Sequence, residues 1–361
     1  MEPVTQRKIK LLENEVAVVT PVKDERALLG HFLCHYRSLG VRNFFFIDNG
    51  SRDGSFEYLC AQPDCHVFST KNSFRDANFG MDWVNKVIRT YLKERWVLFC
   101  DCDEFIVYEH SDILSLKEYC SLQASRGADC VYAAMIDMYP KTNFHNVKIT
   151  QAGDPLAEMC YFDADYVFRE WPRRLWDPKS YRFNIQVLGG PRIRLLSNLQ
   201  KESRRGAYYY TLCNQIDRFV DFIPQSIMPT LAKVWPIEMP AQHKTPLNYV
   251  GDQFCYFNNH SSSNLNLASD FVGLMHYKLC DELNKKLNDA SLLNDHYRRG
   301  LSYEQLRHAV SNLRDGSLYY EGSRKFSTWR DLARVGLIGD FVPRLWSDIN
   351  SNVLRTPRAM S

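Results

Sequence analysis

Short apolar segments alternate with amphipathic segments through the first hundred residues of the chain. The apolar segments are rich in β-branched or aromatic side chains, which is typical of buried strands. The predicted strands are Val16–Thr20, Asn43–Ile47, Cys65–Ser69 and Trp96–Cys100. Because strands that alternate with helices form mainly parallel sheets, the pattern predicts an α/β fold with helices on both faces of the sheet.

The amphipathic segments between these strands predict helices. The first helix begins after Asp24, which we take as its N-cap, and Gly40 supplies its stop. A second helix is predicted around residues 77–93. Pro21 directly follows the first apolar run and is expected to end that strand. The apolar face of the first helix comprises Leu28, Leu29, Phe32, Leu33, Tyr36 and Leu39.

Polar residues lie at the carboxyl ends of three of the predicted strands. They are Thr20 with Pro21, Asp48, and the pair Asp101 and Asp103. In open α/β sheets, ligands bind beyond the carboxyl ends of the strands. We therefore expect these residues to share one ligand-binding edge of the sheet.

The segment Trp96–Val107 places Asp101, Asp103 and Glu104 between two apolar runs. Three carboxylates at the end of a buried strand repel one another and are costly to desolvate. Asp101 and Asp103 point the same way in an extended chain, and their oxygens suit Mg²⁺ or Mn²⁺. The pattern predicts a divalent-cation site that also receives a phosphate group. The alternative is a solvated turn, in which an Asp-x-Asp pair arises by chance.

Two common phosphate-binding loops are missing after the first strand. The residues there read PVKDERALLG, which contains neither GxGxxG nor GxxxxGK[ST]. A standard dinucleotide-binding domain and a P-loop NTPase are thereby excluded. A nucleotide bound at this edge needs another way to neutralise its diphosphate, and a metal ion on Asp101 and Asp103 provides one.

Composition narrows the class of protein further. The 361 residues are 45% hydrophobic and 13% aromatic, which is ample for a packed core. A net charge of +3 is too small to indicate a nucleic-acid-binding protein. No run approaches the roughly 20 apolar residues of a membrane span, and the polar N-terminus lacks a signal-peptide core. Eleven cysteines without a CxxC pair indicate free, mostly buried thiols, so we expect a cytoplasmic protein.

The rest of the chain is less regular. Val131–Ile136 predicts one more strand, which ends at Asp137, and a segment dense in Tyr, Trp, Arg and Asp follows. Beyond residue 280 the pattern becomes helical, and Ser302 with Gln305 fits a capping box that opens a helix. The basic, aromatic stretch Arg324–Arg358 predicts either a helical cap on the catalytic domain or a peripheral contact with the inner face of the cell membrane.

The motifs together resemble those of bacterial glycosyltransferases of the family 2 type, which have the GT-A (Rossmann-like) fold. The resemblance rests on VAVVTPVKDE, on LGHFLCHYRSLGVRNFFFIDNGSRDGS, on the DxD-type motif in WVLFCDCDEFIV and on GLMHYKL. It covers residues 14–280, with a nucleotide-sugar-binding half over 14–110 and an acceptor-binding half over 123–280. A helical C-terminal extension over 281–361 completes the predicted organisation.

This resemblance implies transfer of a sugar from a nucleotide sugar, UDP-sugar above all, to a hydroxyl of a glycan or lipid-linked acceptor in bacterial surface polysaccharide synthesis. It implies that Asp103 and His276 bind Mn²⁺ or Mg²⁺, that Asp101 contacts the metal ion or the ribose, and that Lys278 faces the diphosphate. The alternative for His276 is a histidine satisfied within the core.

Four further residues are assigned to the donor by the same resemblance. Thr20 and Pro21 offer backbone groups to the base, while Glu25 and Asp48 contact the base or ribose. Local roles compete with both carboxylate assignments. Asp48 fits an Asx turn that shapes its loop, and Glu25 fits a carboxylate that complements the dipole of the following helix.

An inverting transferase also needs a carboxylate that takes the proton of the acceptor hydroxyl. The candidates are Asp137, Asp163, Asp165 and Glu170, and the alternative for each is a salt bridge to Arg169, Arg173 or Arg174. A retaining enzyme would need no such base, and the sequence leaves the stereochemistry open.

Two other functions compete with glycosyl transfer. A nucleotidyltransferase that makes nucleotide sugars also uses carboxylates and Mg²⁺, but typically has a glycine-rich basic loop after the first strand. A carbohydrate-binding or scaffold protein on a degenerate transferase fold would not need the acidic pair.

Overall fold

The computed structural model describes residues 1–5, 7–150, 155–170, 185–195, 242–280, 313 and 316–340. Its strands are β1 (Glu2–Pro3), β2 (Ala17–Val22), β3 (Phe44–Asp48), β4 (Cys65–Ser69), β5 (Trp96–Phe99), β6 (Glu104–Val107), β7 (Cys130–Asp137), β8 (Tyr161–Asp163), β9 (Tyr166–Glu170), β10 (Ile185–Gly189), β11 (His243–Tyr249), β12 (Tyr256–Asn258), β13 (Ser261–Ser262), β14 (Asp270–His276), β15 (Ser323–Lys325) and β16 (Gly339–Asp340). The helices are α1 (Arg26–Ser38), α2 (Ser55–Ala61), α3 (Met81–Tyr91), α4 (Leu116–Ser125), α5 (Pro155–Glu158), α6 (190–195) and α7 (Trp329–Arg334).

Ten of these strands form one sheet in the order β1-β4-β3-β2-β5-β11-β7-β14-β16, with β6 also paired to β14. Six of the ten run in one direction, namely β2, β3, β4, β5, β7 and β14. Their carboxyl ends therefore meet at one edge of the sheet. The predicted α/β fold with a mainly parallel sheet is confirmed in the described residues.

Helices cover both faces of this sheet. In β2, Val18 packs towards α1, α2 and α4, while its neighbour Val19 packs towards α3. Both faces are buried, which explains why the parallel strands are nearly continuous apolar runs. Each of the predicted strands is present, with small shifts at its ends.

Two of the predicted boundaries are wrong. Strand β2 continues through Pro21 to Val22. The Val18 N–H points towards β3, where it is hydrogen-bonded. Successive backbone N–H groups of a strand point to opposite sides, so the nitrogen of Pro21 points towards β5. The pairing of β2 with β5 has already ended before this residue. A missing N–H costs nothing there. The N-cap of α1 is Glu25 and not Asp24, whose carboxylate accepts the Arg52 N–H at 2.6 Å.

Strand β11 lies in the middle of the sheet and was not predicted. It runs antiparallel between β5 and β7, and the pairing with β7 is irregular between Lys244 and Leu247. Its sequence, HKTPLNY, is mostly polar and contains Pro246, so it has neither the composition nor the alternation of a strand. Even so, His243, Lys244 and Thr245 are buried.

Tyr36 of α1 fastens the connection between β5 and β6. Its hydroxyl donates to the Glu104 carbonyl at 2.9 Å and accepts the Ile106 N–H at 3.2 Å. We expect Tyr36→Phe to lower the free energy of unfolding by about 1–3 kcal/mol, because two buried backbone groups lose their partner. Urea denaturation measures this loss. The control is Tyr249→Phe, at a partly exposed ring; equal stability of the two variants would show that this bond does not support the connection.

The thiols and the helix lengths were also predicted from the sequence. All ten cysteines in the described residues are free thiols, and seven of them are buried, as expected. Among the helices that the structure describes, none is long and apolar enough to cross a membrane. The helix predicted to begin at Ser302 lies outside the described residues.

Candidate active site

A tight acidic turn connects β5 to β6 at the carboxyl edge of the sheet. The Asp101 N–H donates to Glu104 Oε2 at 3.0 Å, and the Glu104 N–H donates to the Asp101 carbonyl at 3.1 Å. These two bonds bring Glu104 inside, where burial raises the pKa of its carboxyl group. Asp101 and Asp103 stay on the outside of the turn, with side chains 45% and 21% exposed.

Lys244 of β11 neutralises part of the negative charge of this turn. Its ammonium lies 2.6 Å from Glu104 Oε1 and 2.9 Å from Asp101 Oδ2, and its side chain is only 2% exposed. Burial opposes the charge, but the two carboxylates outweigh burial and raise the pKa of Lys244 well above its ordinary value. The lysine is therefore a permanent internal cation.

His276, the last residue of β14, lies between two carboxylates. It is paired in register with Glu104 of β6 and Asp137 of β7. Its Nδ1 lies 2.8 Å from Asp137 Oδ1, and its Nε2 lies 3.3 Å from Asp103 Oδ2. Burial lowers the pKa of His276, but Asp103 and Asp137 outweigh burial and raise it overall.

Asp137 is fully buried and both of its oxygens are engaged. Arg192 Nε donates to Oδ2 at 2.7 Å, while Oδ1 receives the Nδ1–H of His276. Burial opposes ionisation, but Arg192 and His276 hold the pKa of this carboxyl group well below its usual range. Arg192 reaches this carboxylate because residue 190 is a glycine. Gly190 has a positive φ of 77°, and a Cβ atom at this position would collide with the Tyr166 hydroxyl.

The charges of this cluster match a divalent cation. Asp101, Asp103, Glu104 and Asp137 supply four negative charges, while Lys244 and Arg192 supply two positive ones. Among these named side chains, acidic groups therefore outnumber basic ones, as a site for a divalent cation requires. Asp103 and Glu104, together with His276, offer ligand atoms within 4.8 Å of one another.

The donor atoms also fit such an ion. Both oxygens of Glu104 already accept hydrogen bonds, from Lys244 and from the Asp101 N–H. Asp103 and His276 aim Oδ2 and Nε2 at one another, a pairing that needs a proton or a metal ion between the two atoms. An imidazole whose other nitrogen is held by a carboxylate is the usual form of a metal-binding histidine. Asp103 and His276, with Asp101 beside them, would hold Mg²⁺ or Mn²⁺.

The other residues assigned to the donor lie at the same edge but make mainly local contacts. Asp48 is buried and accepts the Gly50 N–H at 3.0 Å, which is an Asx turn. Thr20 is fully buried, and its hydroxyl has no hydrogen-bond partner among the described residues. Glu25 is the N-cap of α1. Burial is the main cause of the raised pKa of the Cys102 thiol in the acidic turn, and the charge of Glu25 adds to it. Pro21 lies in β2 opposite Ile47, and Lys278 lies two residues beyond β14, partly exposed.

The other candidates for a catalytic base differ from Asp137. Asp163 is buried and bonded to Arg194 at 3.1 Å and to the Tyr139 hydroxyl; burial raises the pKa of its carboxyl group. Asp165 is exposed and accepts the Tyr320 hydroxyl at 3.2 Å. Glu170 ends β9, and its side chain lies outside the described residues.

Sequence reasoning missed Lys244, Gln242 and Arg192. Gln242 lies just before β11, and its amide donates to Asp137 Oδ2 at 3.4 Å. Lys244 lies in β11, which has no strand pattern, so nothing local indicated that these two side chains are buried. Arg192 lies in the GGPRIRLL segment, where the Gly-Gly pair was the available signal of close backbone approach.

Asp137→Asn is expected to weaken Mn²⁺ binding about 10- to 100-fold, since the change removes the charge that orients His276. Isothermal titration with Mn²⁺ measures the effect. Asp270→Asn is the matched control, because Asp270 is also hydrogen-bonded and lies at the opposite end of β14. Equal Mn²⁺ affinity of Asp137→Asn and the wild type would show that His276 is not a ligand held by Asp137.

Comparison with known proteins adds little to this geometry. The sequence matches no protein-family model and no characterised protein. A 4-diphosphocytidyl-2C-methyl-D-erythritol synthase is similar in structure with a TM-score of 0.24 and 14% identity, over 40% of this chain and 71% of the other. A UDP-glucose pyrophosphorylase complexed with UDP-glucose has a TM-score of 0.24 and 10% identity, over 51% and 80%. A protein described as a glucose-1-phosphate thymidylyltransferase from Bacillus anthracis, in complex with sucrose, has a TM-score of 0.27 and 5% identity, over 51% and 75%. Scores this low carry no argument about function.

Proposed function

We propose that this protein is a metal-dependent glycosyltransferase that moves a sugar from a nucleoside-diphosphate sugar, of the UDP class, to a hydroxyl of a glycan or glycolipid. The observation that carries the proposal is the convergence of Asp103 and His276, beside the buried Glu104, at the carboxyl edge of the sheet. The family 2 resemblance of the motifs supports the same assignment.

The side chains have distinct tasks in this proposal. Asp103 and His276 bind the cation, and Asp137 holds His276 in the tautomer that presents Nε2. Lys244 keeps Glu104 and Asp101 in place and offsets part of their negative charge. A Mg²⁺ or Mn²⁺ ion held by these residues would supply positive charge that stabilises the diphosphate leaving group of the donor.

For an inverting transfer we assign the proton acceptor to Asp165. A general base needs a carboxylate that can reach the acceptor hydroxyl and that is not already held in an ion pair. Asp137 and Asp163 are buried, and both are held by arginines. Asp165 is exposed. Its backbone carbonyl lies against Gly189, and the next residue, Gly190, lies close to the Asp137 carboxylate.

The experiment that tests the function is product analysis with Mn²⁺ and a panel of nucleotide sugars. The proposal predicts release of a nucleoside diphosphate, by transfer or by slow hydrolysis, and a lower rate in Asp165→Asn. A parallel reaction with nucleoside triphosphate and sugar 1-phosphate tests nucleotidyl transfer. Pyrophosphate release in that reaction, without diphosphate release in the first, would replace the proposed activity by nucleotidyl transfer.

A further inference from the structure

A second histidine, His260, lies beside the acidic cluster and takes no part in the contacts described above. It occupies the turn between β12 and β13. Its backbone N–H donates to Asn258 Oδ1 at 2.8 Å, and its carbonyl accepts the Thr245 N–H at 3.1 Å. The backbone N–H and carbonyl of His260 are thus both held by hydrogen bonds, the N–H within the hairpin and the carbonyl on β11.

The ring of His260 is fixed as well. Its Nδ1 lies 2.7 Å from the carbonyl oxygen of His243, the residue before Lys244 in β11. Since a carbonyl only accepts, Nδ1 carries the proton and Nε2 presents a lone pair. No group of the described residues is hydrogen-bonded to Nε2, and the residue is partly exposed.

The surroundings keep this imidazole neutral. Burial is the main cause and lowers the pKa of His260 to about 4, with a further contribution from the charge of Lys244. The charges that act on the ring come from Lys244 of β11, Asp101 of the acidic turn and Arg192 of α6. The ring of His243, also neutral, lies 6.0 Å away. So weak a base is poorly suited to proton transfer near neutral pH, but its nitrogen accepts a hydrogen bond well.

We infer that His260 is a specificity-determining residue of the site, whose Nε2 accepts a hydrogen bond from a sugar hydroxyl of the bound donor. The inference rests on the proposed function. A lone pair in this position favours a hydroxyl and disfavours ionised phosphate oxygens and base carbonyls, which cannot donate. The hydroxyl belongs either to the ribose of the nucleotide or to the sugar that is transferred.

His260→Asn separates this role from a structural one. The amide N–H of asparagine can replace Nδ1–H and keep the bond to the His243 carbonyl, but nothing replaces Nε2. The ligands are UDP, GDP and CDP, their 2′-deoxy forms, and UDP-glucose, each titrated with Mn²⁺ present. The control is His110→Asn, at a histidine whose ring packs against Trp329 in another part of the molecule.

The variant is expected to bind a hydroxyl-bearing ligand about three- to tenfold more weakly than the wild type, which corresponds to one hydrogen bond. Weaker binding of UDP but not of 2′-deoxy-UDP places His260 at the ribose. Weaker binding of UDP-glucose alone places it at the transferred sugar. Unchanged affinity for every ligand that the wild type binds overturns the inference and leaves the proposed function intact. If the wild type binds none of these ligands, the proposed function fails and the inference fails with it.

Discussion

Replacing Asp103 with asparagine is expected to abolish Mn²⁺-dependent nucleotide binding and turnover. The carboxylate is one of the two side chains proposed to bind the cation, and its Oδ2 lies 3.3 Å from His276 Nε2. The loss of a direct metal ligand should lower activity more than the loss of a residue that only orients a ligand, such as Asp137. We therefore expect a decrease of more than about a hundredfold in the rate of nucleoside-diphosphate release. The shift of the thermal midpoint by nucleotide and Mn²⁺ should vanish together with the activity.

The matched control for this change is Asp252→Asn, at an exposed carboxylate in the turn after β11. It should keep the Mn²⁺-dependent midpoint shift of the wild type. Both variants should unfold near the wild-type midpoint in the absence of ligand, because neither side chain is buried in the core. A normal midpoint shift in Asp103→Asn would rule out this residue as a ligand.

Lys244→Met is expected to lower the free energy of unfolding by about 3–5 kcal/mol. Methionine fills the space of the lysine stem, but it leaves Glu104 buried beside Asp101 with no cation between them. An uncompensated buried charge is far more costly than the loss of an exposed ion pair. Urea denaturation at neutral pH measures the difference.

Two further variants separate charge from packing at this position. Lys86→Met changes an exposed lysine of α3 and should stay within about 0.5 kcal/mol of the wild type. Lys244→Met combined with Glu104→Gln removes both charges of the buried pair and should recover most of the lost stability. If the double variant is as unstable as Lys244→Met alone, packing and not charge explains the loss.

Much of the fold could be predicted because its parallel strands are buried on both faces. Such strands must be apolar at nearly every position, so Phe44–Asp48 and Trp96–Phe99 are visible in the sequence without knowledge of their neighbours. The acidic turn was visible for the opposite reason. Carboxylates between two apolar runs have few structural explanations other than a binding site.

Strand β11 could not be predicted because its stability comes from partners distant in sequence. Lys244 lies 143 residues from Asp101, with which it pairs, and Gln242 lies 105 residues from Asp137. From the sequence alone, the three carboxylates of the turn appeared to need a metal ion to neutralise all of their negative charge. The structure shows that Lys244 already balances part of it, so the remaining charge is smaller than the sequence suggested.

The resemblance implied that Asp101, Asp103 and His276 act together, and the structure brings all three to one edge of the sheet. Asp137 was predicted at this edge as a candidate base. Its burial and its bonds to Arg192 and His276 favour an orienting role instead. Such a role depends on which elements pack together, and a single sequence does not contain that information.

The most direct test of the central claim is a calorimetric titration of the wild type with Mn²⁺, alone and in the presence of UDP, GDP, CDP or ADP. If the cluster holds a cation that also binds the diphosphate of the donor, one nucleotide should tighten Mn²⁺ binding by about tenfold or more, and Mn²⁺ should tighten the binding of that nucleotide by the same factor. If Mn²⁺ does not bind, or binds with the same affinity whichever nucleotide is present, the acidic cluster is not the donor site of a metal-dependent glycosyltransferase.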